Sequence, residues 1–209
     1  MKIEPSATDW AFAKSVRDEF LQKPGSQHIA SEFALAYLSA VLNEVKPRSV
    51  LEFGAGIGTI TSFLMKHPTN IDHVTTTESN AFCLEQFAAN IPEEYRGRYD
   101  LIADDSNLIP GQRRYELVIV DNSVGKQGCA FLDPGMICFV EGGRTRTRQE
   151  IQGELAGRGL RCNLANYNRG MRYFSMGLRR TKKTGIPYPK VHIAKARKGC
   201  WIGVVEPTV

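Results

Sequence analysis

The residues with the most chemistry to offer begin at a glycine turn. Gly54-Ala55-Gly56-Ile57-Gly58 follows the apolar run Ser49–Phe53 and leads into a stretch with helical spacing. A strand that passes through such a turn into a helix sets free backbone N–H groups and the positive end of a helix dipole at one edge of a sheet. Ligands with nucleoside parts bind at that edge. The spacing is GxGxG, and Thr59 stands where the dinucleotide fingerprint GxGxxG has its last glycine, which leans away from a nicotinamide cofactor.

Carboxylates accompany this turn along the chain. Glu52, two positions before Gly54, reads as a carboxylate at the lip of the first strand, where a cationic group is welcome and a pyrophosphate is repelled. That combination favours an aminoacyl sulfonium ligand over a dinucleotide. Glu78 lies 20 residues after Gly58, the distance at which an acidic residue ending the second strand accepts both ribose hydroxyls. Asp104-Asp105 ends the third strand, suited to accept from an adenine amino group, and Asp121 closes the fourth on the same edge. Any one of these residues could merely terminate a strand or cap a helix. Four in succession, with GxGxG, make a ligand-binding edge.

Such an edge needs a parallel sheet behind it, and the chain alternates accordingly. Apolar strands are expected at Ser49–Phe53, Asp72–Thr77, Tyr99–Ala103, Glu116–Val120 and Met136–Glu141, with helices at Ile57–His67, Asn80–Ile91 and Thr145–Gly157. Two helices come first: Asp9–Gln22, capped by Thr8, and Ile29–Glu44, halted before Pro47. Leu160–Tyr167 and Cys200–Val205 read as an antiparallel end, with Tyr173–Leu178 a competing candidate for the closing strand. The fold class is therefore α/β, a Rossmann-like, doubly wound, mostly parallel seven-stranded sheet. Its organisation is a helical cap over 1–46, a ligand-binding core over 47–167, a basic insertion over 168–198 and a closing strand over 199–209.

Ser49-Val-Leu-Glu-Phe-Gly-Ala-Gly-Ile-Gly-Thr59, the segment TTTESN containing Glu78 and Ser79, IADDS with Asp104 and Asp105, and LVIVDN with Asp121 together resemble the first four motifs of class I S-adenosylmethionine-dependent methyltransferases, over roughly residues 47–122. The resemblance implies S-adenosylmethionine as cofactor. The backbone around Gly54, Ala55, Gly56 and Gly58, with Glu52 at the lip of the first strand, would hold the methionine portion and ribose. Glu78 and Ser79 would take the ribose, Asp104 or Asp105 the adenine, and Asp121 would border the transferred methyl group. In layout the chain is closest to small O-methyltransferases of the catechol and caffeoyl-CoA type. It departs from them where their divalent cation sits: only Asp121 matches, and the fifth strand ends Val140-Glu141-Gly142-Gly143-Arg144 without an Asp-Asn pair, so no metal is expected.

The acceptor is less legible: O-methylation of an anionic or polar small molecule is the leading expectation, with an RNA methyltransferase using the basic 168–198 segment or a non-catalytic cofactor-binding protein as the alternatives. Asp121 is followed by Asn122-Ser123 and not by the Pro-Pro-Tyr of many amino-group methyltransferases, and no Pro-Cys nucleophile is present. Glu141 and His28, with Asp121, are the candidate catalytic groups; the plainer alternatives are that Glu141 pairs with Arg144 and that His28 is a surface or capping residue. Arg144, Arg172 and Tyr173 are candidates for holding an anionic substrate. Between Asn168 and Lys198 stand ten basic residues and no acidic one, so the rest of the chain carries 17 basic against 22 acidic residues and the net +5 is local. Such a segment suits an anionic or polar small-molecule substrate first and RNA second, with Tyr173, Phe174 and Tyr188 available for stacking; Pro187-Tyr188-Pro189 reads as a loop.

The remaining composition sets limits. The chain has 209 residues, 42% of them hydrophobic and 23% charged, which suits one globular α/β unit with an appendage. Neither a signal sequence nor a membrane span is visible, so a cytoplasmic location without membrane attachment is expected. The five cysteines have no CxxC spacing and mostly occupy apolar segments, as reduced core thiols do. Oligomeric state stays open, a homodimer among the options.

Overall fold

The computed structural model describes residues 3–103, 113–121, 128–142, 145–168, 173–180, 187–194 and 199–208. Parallel strands β1 (Ser49–Phe53), β2 (His73–Thr77), β3 (Tyr99–Ile102), β4 (Leu117–Val120) and β5 (Ile137–Glu141) stand in the order β3-β2-β1-β4-β5. The order reverses at β1, so the crevice above β1 and β4 is the switch point where ligands of doubly wound sheets bind. Antiparallel β10 (Gly199–Pro207) pairs with β5 on one edge, and on the other with both β6 (Leu160–Cys162) and β7 (Ala165–Asn168).

Each strand face meets its own helical layer, which is why β4 and β5 are apolar on both sides. Val50, Leu117, Ile119 and Phe139 lie in one core with α1 (Ala7–Leu21), α2 (Glu32–Val45) and α3 (Thr59–Lys66). Leu51, Phe53, Val118, Val120 and Val140 lie in the other, with Ile151 and Leu155 of α5 (Thr145–Gly157). Helix α4 (Ala81–Asn90) adds a small cluster of Phe87 and Ile91 against Ala55 under the glycine turn.

Several boundaries differ from the sequence expectation for identifiable reasons. Helix α1 is capped by Ser6, not Thr8, because Ser6 and Asp9 form a reciprocal capping box. Residues 160–167 are two strands, broken where the Leu164 N–H donates back to the Cys162 carbonyl at 3.0 Å. Ile202↔Ala165 and Val205↔Cys162 nonetheless belong to one register, so the break is local. Tyr173–Arg180 (β8) does not close the sheet. It pairs with Pro187–Ala194 (β9) as a separate two-stranded ribbon. Pro187-Tyr188-Pro189 is therefore strand and not loop; two prolines at alternate positions leave their missing N–H groups on one edge, which a two-stranded ribbon tolerates.

The two cap helices are fastened to the core by a buried polar chain. Asp9 Oδ1 accepts the Ser39 hydroxyl at 2.5 Å and the Asn43 amide at 2.9 Å, and Ser39 Oγ is 3.0 Å from His67 Nε2. The Thr69 N–H donates to His67 Nδ1 at 3.2 Å, so the imidazole is neutral with its proton on Nε2, donating to Ser39. Burial alone would raise the Asp9 carboxyl, but the hydrogen bonds from Ser39 and Ser6 outweigh it and hold it below the ordinary carboxylate range.

Of the five cysteines, all free, Cys129, Cys138, Cys162 and Cys200 are buried. No helix among the described residues is long and apolar enough to cross a membrane.

Candidate cofactor and acceptor site

The glycine turn has the backbone its sequence requires. Gly54, Gly56 and Gly58 have φ of 90°, 54° and 94°, the left-handed region that side chains disfavour. Gly54 and Ala55 both donate to the Thr77 carbonyl at the end of β2, at 3.0 and 2.9 Å, which locks the turn to the neighbouring strand. A Cβ on Gly58 would lie 2.9 Å from Ile91 Cδ1 and 3.2 Å from Phe87 Cδ2, whereas one on Gly56 would meet nothing within 4 Å. The two glycines thus face opposite demands, one toward packed protein and one toward open space.

Glu78 closes the turn from the other side. One oxygen of its carboxylate accepts the Gly56 N–H at 2.7 Å, and the other accepts the N–H groups of Ser79 and Asn80 at 2.9 and 2.8 Å. Three charge-assisted bonds fix this half-buried carboxylate between the glycine turn and the start of α4. Ser79 enters the site by its backbone; its residue is exposed.

Glu52 is not at the lip. It is fully buried in β1, with the Thr61 hydroxyl of α3 donating to Oε2 at 2.5 Å. Oε1, like Oγ1 of its cross-strand neighbour Thr76, is buried without a hydrogen-bond partner. Burial pushes its carboxyl up to about 7, the Thr61 hydroxyl opposes the rise, and the charge of Glu78 adds to it. The sequence placed the carboxylate by position along the strand, but β1 stands between β2 and β4, and its penultimate residue is covered.

Above the turn lies a cleft of about 210 Å³ lined by Ala55, Gly56, Ile57, Asn80, Phe82 and Asp121 on one side and by Gly25 and Gln27 to Ala30 on the other. Asp121 and His28, far apart in sequence, share this lining. Asp121 is half-buried, and its N–H donates to the Phe53 carbonyl at 2.9 Å. The overhanging segment is a 3-10 turn, Ser26–His28, introduced by Gly25 with φ 87°. A Cβ there would lie 2.8 Å from Ile57 Cγ2 and 2.9 Å from Phe82 Cε1. Gly25 therefore lets the overhang approach the glycine turn, a role hidden in sequence because Pro24-Gly25 reads simply as a helix stop. Gln27, Phe82 and Asn80 also escaped the sequence reading; nothing in their local pattern marks them.

Glu141, at the end of β5, does not line this cleft; its Oε1 accepts the N–H of Ser31, the N-cap residue of α2, at 3.3 Å. Asp104, Asp105, Arg144 and Arg172 lie outside the described residues, and Tyr173 is described only as the first residue of β8. Among the described residues no group of three or more His, Cys, Asp or Glu side chains is placed to hold a metal ion.

The arrangement is similar to solved structures of methyltransferases. The chain superposes on a tRNA (m1A58) methyltransferase from Aquifex aeolicus with TM-score 0.61 at 14% identity, over 91% of this chain and 75% of that one. It matches an S-adenosylmethionine-dependent O-methyltransferase from Thermotoga maritima (0.58, 10%, 92% and 70%). An O-methyltransferase from Streptomyces achromogenes solved with S-adenosylmethionine matches over 99% of this chain and 92% of its own (0.55, 14%). No protein-family model and no curated protein sequence matches the chain. The fold is the Rossmann-like fold of the S-adenosylmethionine-dependent methyltransferases.

Proposed function

We propose that this protein is an S-adenosylmethionine-dependent methyltransferase that methylates an oxygen of an anionic or polar small molecule. The observation that carries the reading is the turn at Gly54–Gly58, whose Gly56 is open toward the cleft and whose Gly56 N–H is held at 2.7 Å by Glu78. The residues fit the cofactor: a carboxylate fixed beside the turn for the ribose, and backbone with no Cβ to obstruct it. When bound, the cofactor supplies an activated methyl group on a sulfonium sulfur. The protein's share is alignment and, for a hydroxyl acceptor, removal of a proton. Asp121 and His28 flank the cleft where the acceptor would sit, and the His28 imidazole is the candidate to take that proton. Glu141 positions the start of α2 through Ser31.

Titration calorimetry with S-adenosylmethionine and its demethylated product tests the cofactor. Binding of both is expected, with Glu78→Ala weakening both at least tenfold through loss of the ribose acceptor and of the brace on Gly56. Absence of binding by the wild type, or none lost in Glu78→Ala, would remove the assignment. A second reading, RNA methylation, is favoured by the ten basic residues between Asn168 and Lys198. RNA binding that survives physiological salt would select it; binding that vanishes there supports the small-molecule reading.

A further inference from the structure

The arginines near the α5 side of the sheet mostly have their charge answered. Arg146 meets Glu150 at 2.9 Å, Arg158 meets Asp133 at 3.1 Å and the carbonyls of Cys129 and Leu132, and Arg161 meets Glu206 at 3.2 Å. Arg148 differs. Its described helical neighbours three and four positions away, Thr145, Ile151 and Gln152, carry no charge, and no acidic residue stands in the first turn of α5. The guanidinium lies instead over the Trp201 ring of β10, 4.4 Å from the centroid. Of its three nitrogens only Nε is buried without a partner; the terminal pair meets no described acceptor and is left open. Stacking on an aromatic face fixes the plane of a guanidinium, and a fixed fork with both terminal donors unused suits the two oxygens of a carboxylate or phosphate.

The register puts this stack in line with the cleft. Phe53, Val120, Val140, Trp201 and Asn166 form one row across β1, β4, β5, β10 and β7. Phe53 leads directly into the glycine turn and Val120 into Asp121, so Trp201 stands two strands, about 10 Å, from the strand that carries Asp121. Exposed Asn166, the cross-strand partner of Trp201, lies on the same face and adds an amide beside the ring. Glu141, the residue after Val140, does not answer the arginine; its Oε1 accepts the Ser31 N–H at the start of α2.

We propose that Arg148, stacked on Trp201, is the subsite for the acidic group of the acceptor: a carboxylate or phosphate is held in the guanidinium fork while the oxygen to be methylated lies at the cleft beside Asp121, about 10 Å away. This rests on the small-molecule reading above and names its substrate class, an acid long enough to cover that span. Arg148 selects the acceptor and takes no part in making or breaking bonds.

Trp10 and Trp201 are the two tryptophans of the chain, so Trp10→Phe leaves Trp201 as the one indole reporter. Fluorescence of that variant is titrated with benzoate, phenyl phosphate and neutral benzamide at constant ionic strength, without S-adenosylmethionine. A saturable change in Trp201 emission is expected with the anions and not with benzamide, and the tighter of the two anions tells carboxylate from phosphate. Arg148→Gln should weaken that binding about tenfold or more, and Arg148→Lys, which keeps the charge and loses the planar fork, should fall between the two. No saturable change, an equal change with benzamide, an equal affinity in Arg148→Gln, or a response to mixed RNA with none to the small anions overturns the proposal. The same titration of the wild-type chain, followed by the chemical shift of the Trp201 indole N–H, decides if Trp10→Phe folds poorly. With no cofactor in the cell, failure here leaves calorimetric binding of S-adenosylmethionine standing, whereas failure of that binding overturns the cofactor reading.

Discussion

Gly56 and Gly58 sit two residues apart in one turn, both with positive φ, and alanine at each should do different damage. At Gly58, with φ 94°, the left-handed conformation costs about 1–2 kcal/mol for a residue with a Cβ. The new methyl group would also lie 2.9 Å from Ile91 Cδ1 and 3.2 Å from Phe87 Cδ2, both in a packed cluster. Overpacking of that kind costs about 1–3 kcal/mol more. A loss of about 3 kcal/mol should lower the melting temperature by about 6–12 °C for a chain of this size. At Gly56, with φ 54° and no atom within 4 Å of a Cβ, only the conformational cost applies, about 1 kcal/mol or about 2–4 °C. Its methyl group enters the space over the turn, so Gly56→Ala should weaken S-adenosylmethionine about tenfold or more while leaving the fold nearly intact. Thermal melts with calorimetry on the two variants measure both quantities. Equal destabilisation by the two substitutions, or unchanged affinity in Gly56→Ala, would refute the division of labour within the turn.

The buried chain behind the cap gives a pH prediction. Burial holds the His67 imidazole below its ordinary value near 6.5, with the Asp9 charge opposing, so the unfolded chain takes up this proton first as pH falls. Stability from this site is fully present above about pH 6.5 and is lost as pH drops through the lower folded-state value. Urea unfolding at pH 7 and pH 5 should show that decline, and His67→Gln, which keeps an amide near Ser39, should reduce it; an unchanged slope in the variant would count against the assignment. At the sheet's antiparallel end, a Cβ on Gly203 would lie 2.8 Å from Cys162 Sγ and 2.9 Å from the Asn163 carbonyl oxygen. Gly203→Ala should cost about 1–3 kcal/mol in a melt, and adding Cys162→Ala should recover only part, because the backbone oxygen stays.

What was legible in the sequence was what a local pattern can carry. Apolar strands separated by helical spacing gave the parallel order, and Gly54, Gly56 and Gly58 could be read as a turn because only glycine suits three positive φ values in five residues. Depth was not legible. Glu52 belongs to the right strand and the right end, yet whether its carboxylate meets ligand or core depends on β2 and β4 on either side and on Thr61 from α3. The break in 160–167 lies opposite Gly203, far along the chain, whose missing side chain leaves room for the Cys162 sulfur. Long-range contacts of this sort leave no periodic trace.

In the proposed methyltransferase reading, the acceptor side shows the same division. Its lining joins a segment before the first strand, Gly25–Ala30, to Asp121 after the fourth, and only the fold brings them within one cleft. Gly25 permits that approach because Ile57 and Phe82 fill the place of its side chain, so the residue controlling how closely the overhang covers the site carries no functional group. A side chain at position 25 should lift His28 and Gln27 away from the glycine turn while leaving Glu78 and Gly56 as they are. On the proposed reading the cofactor half rests on a strand–turn–helix with its own hydrogen bonds, and the acceptor half on an overhang set by one close contact. Divergence of substrate without loss of cofactor binding is the expected consequence of that construction, because the parts that choose the acceptor can shift without disturbing the parts that hold the methyl donor.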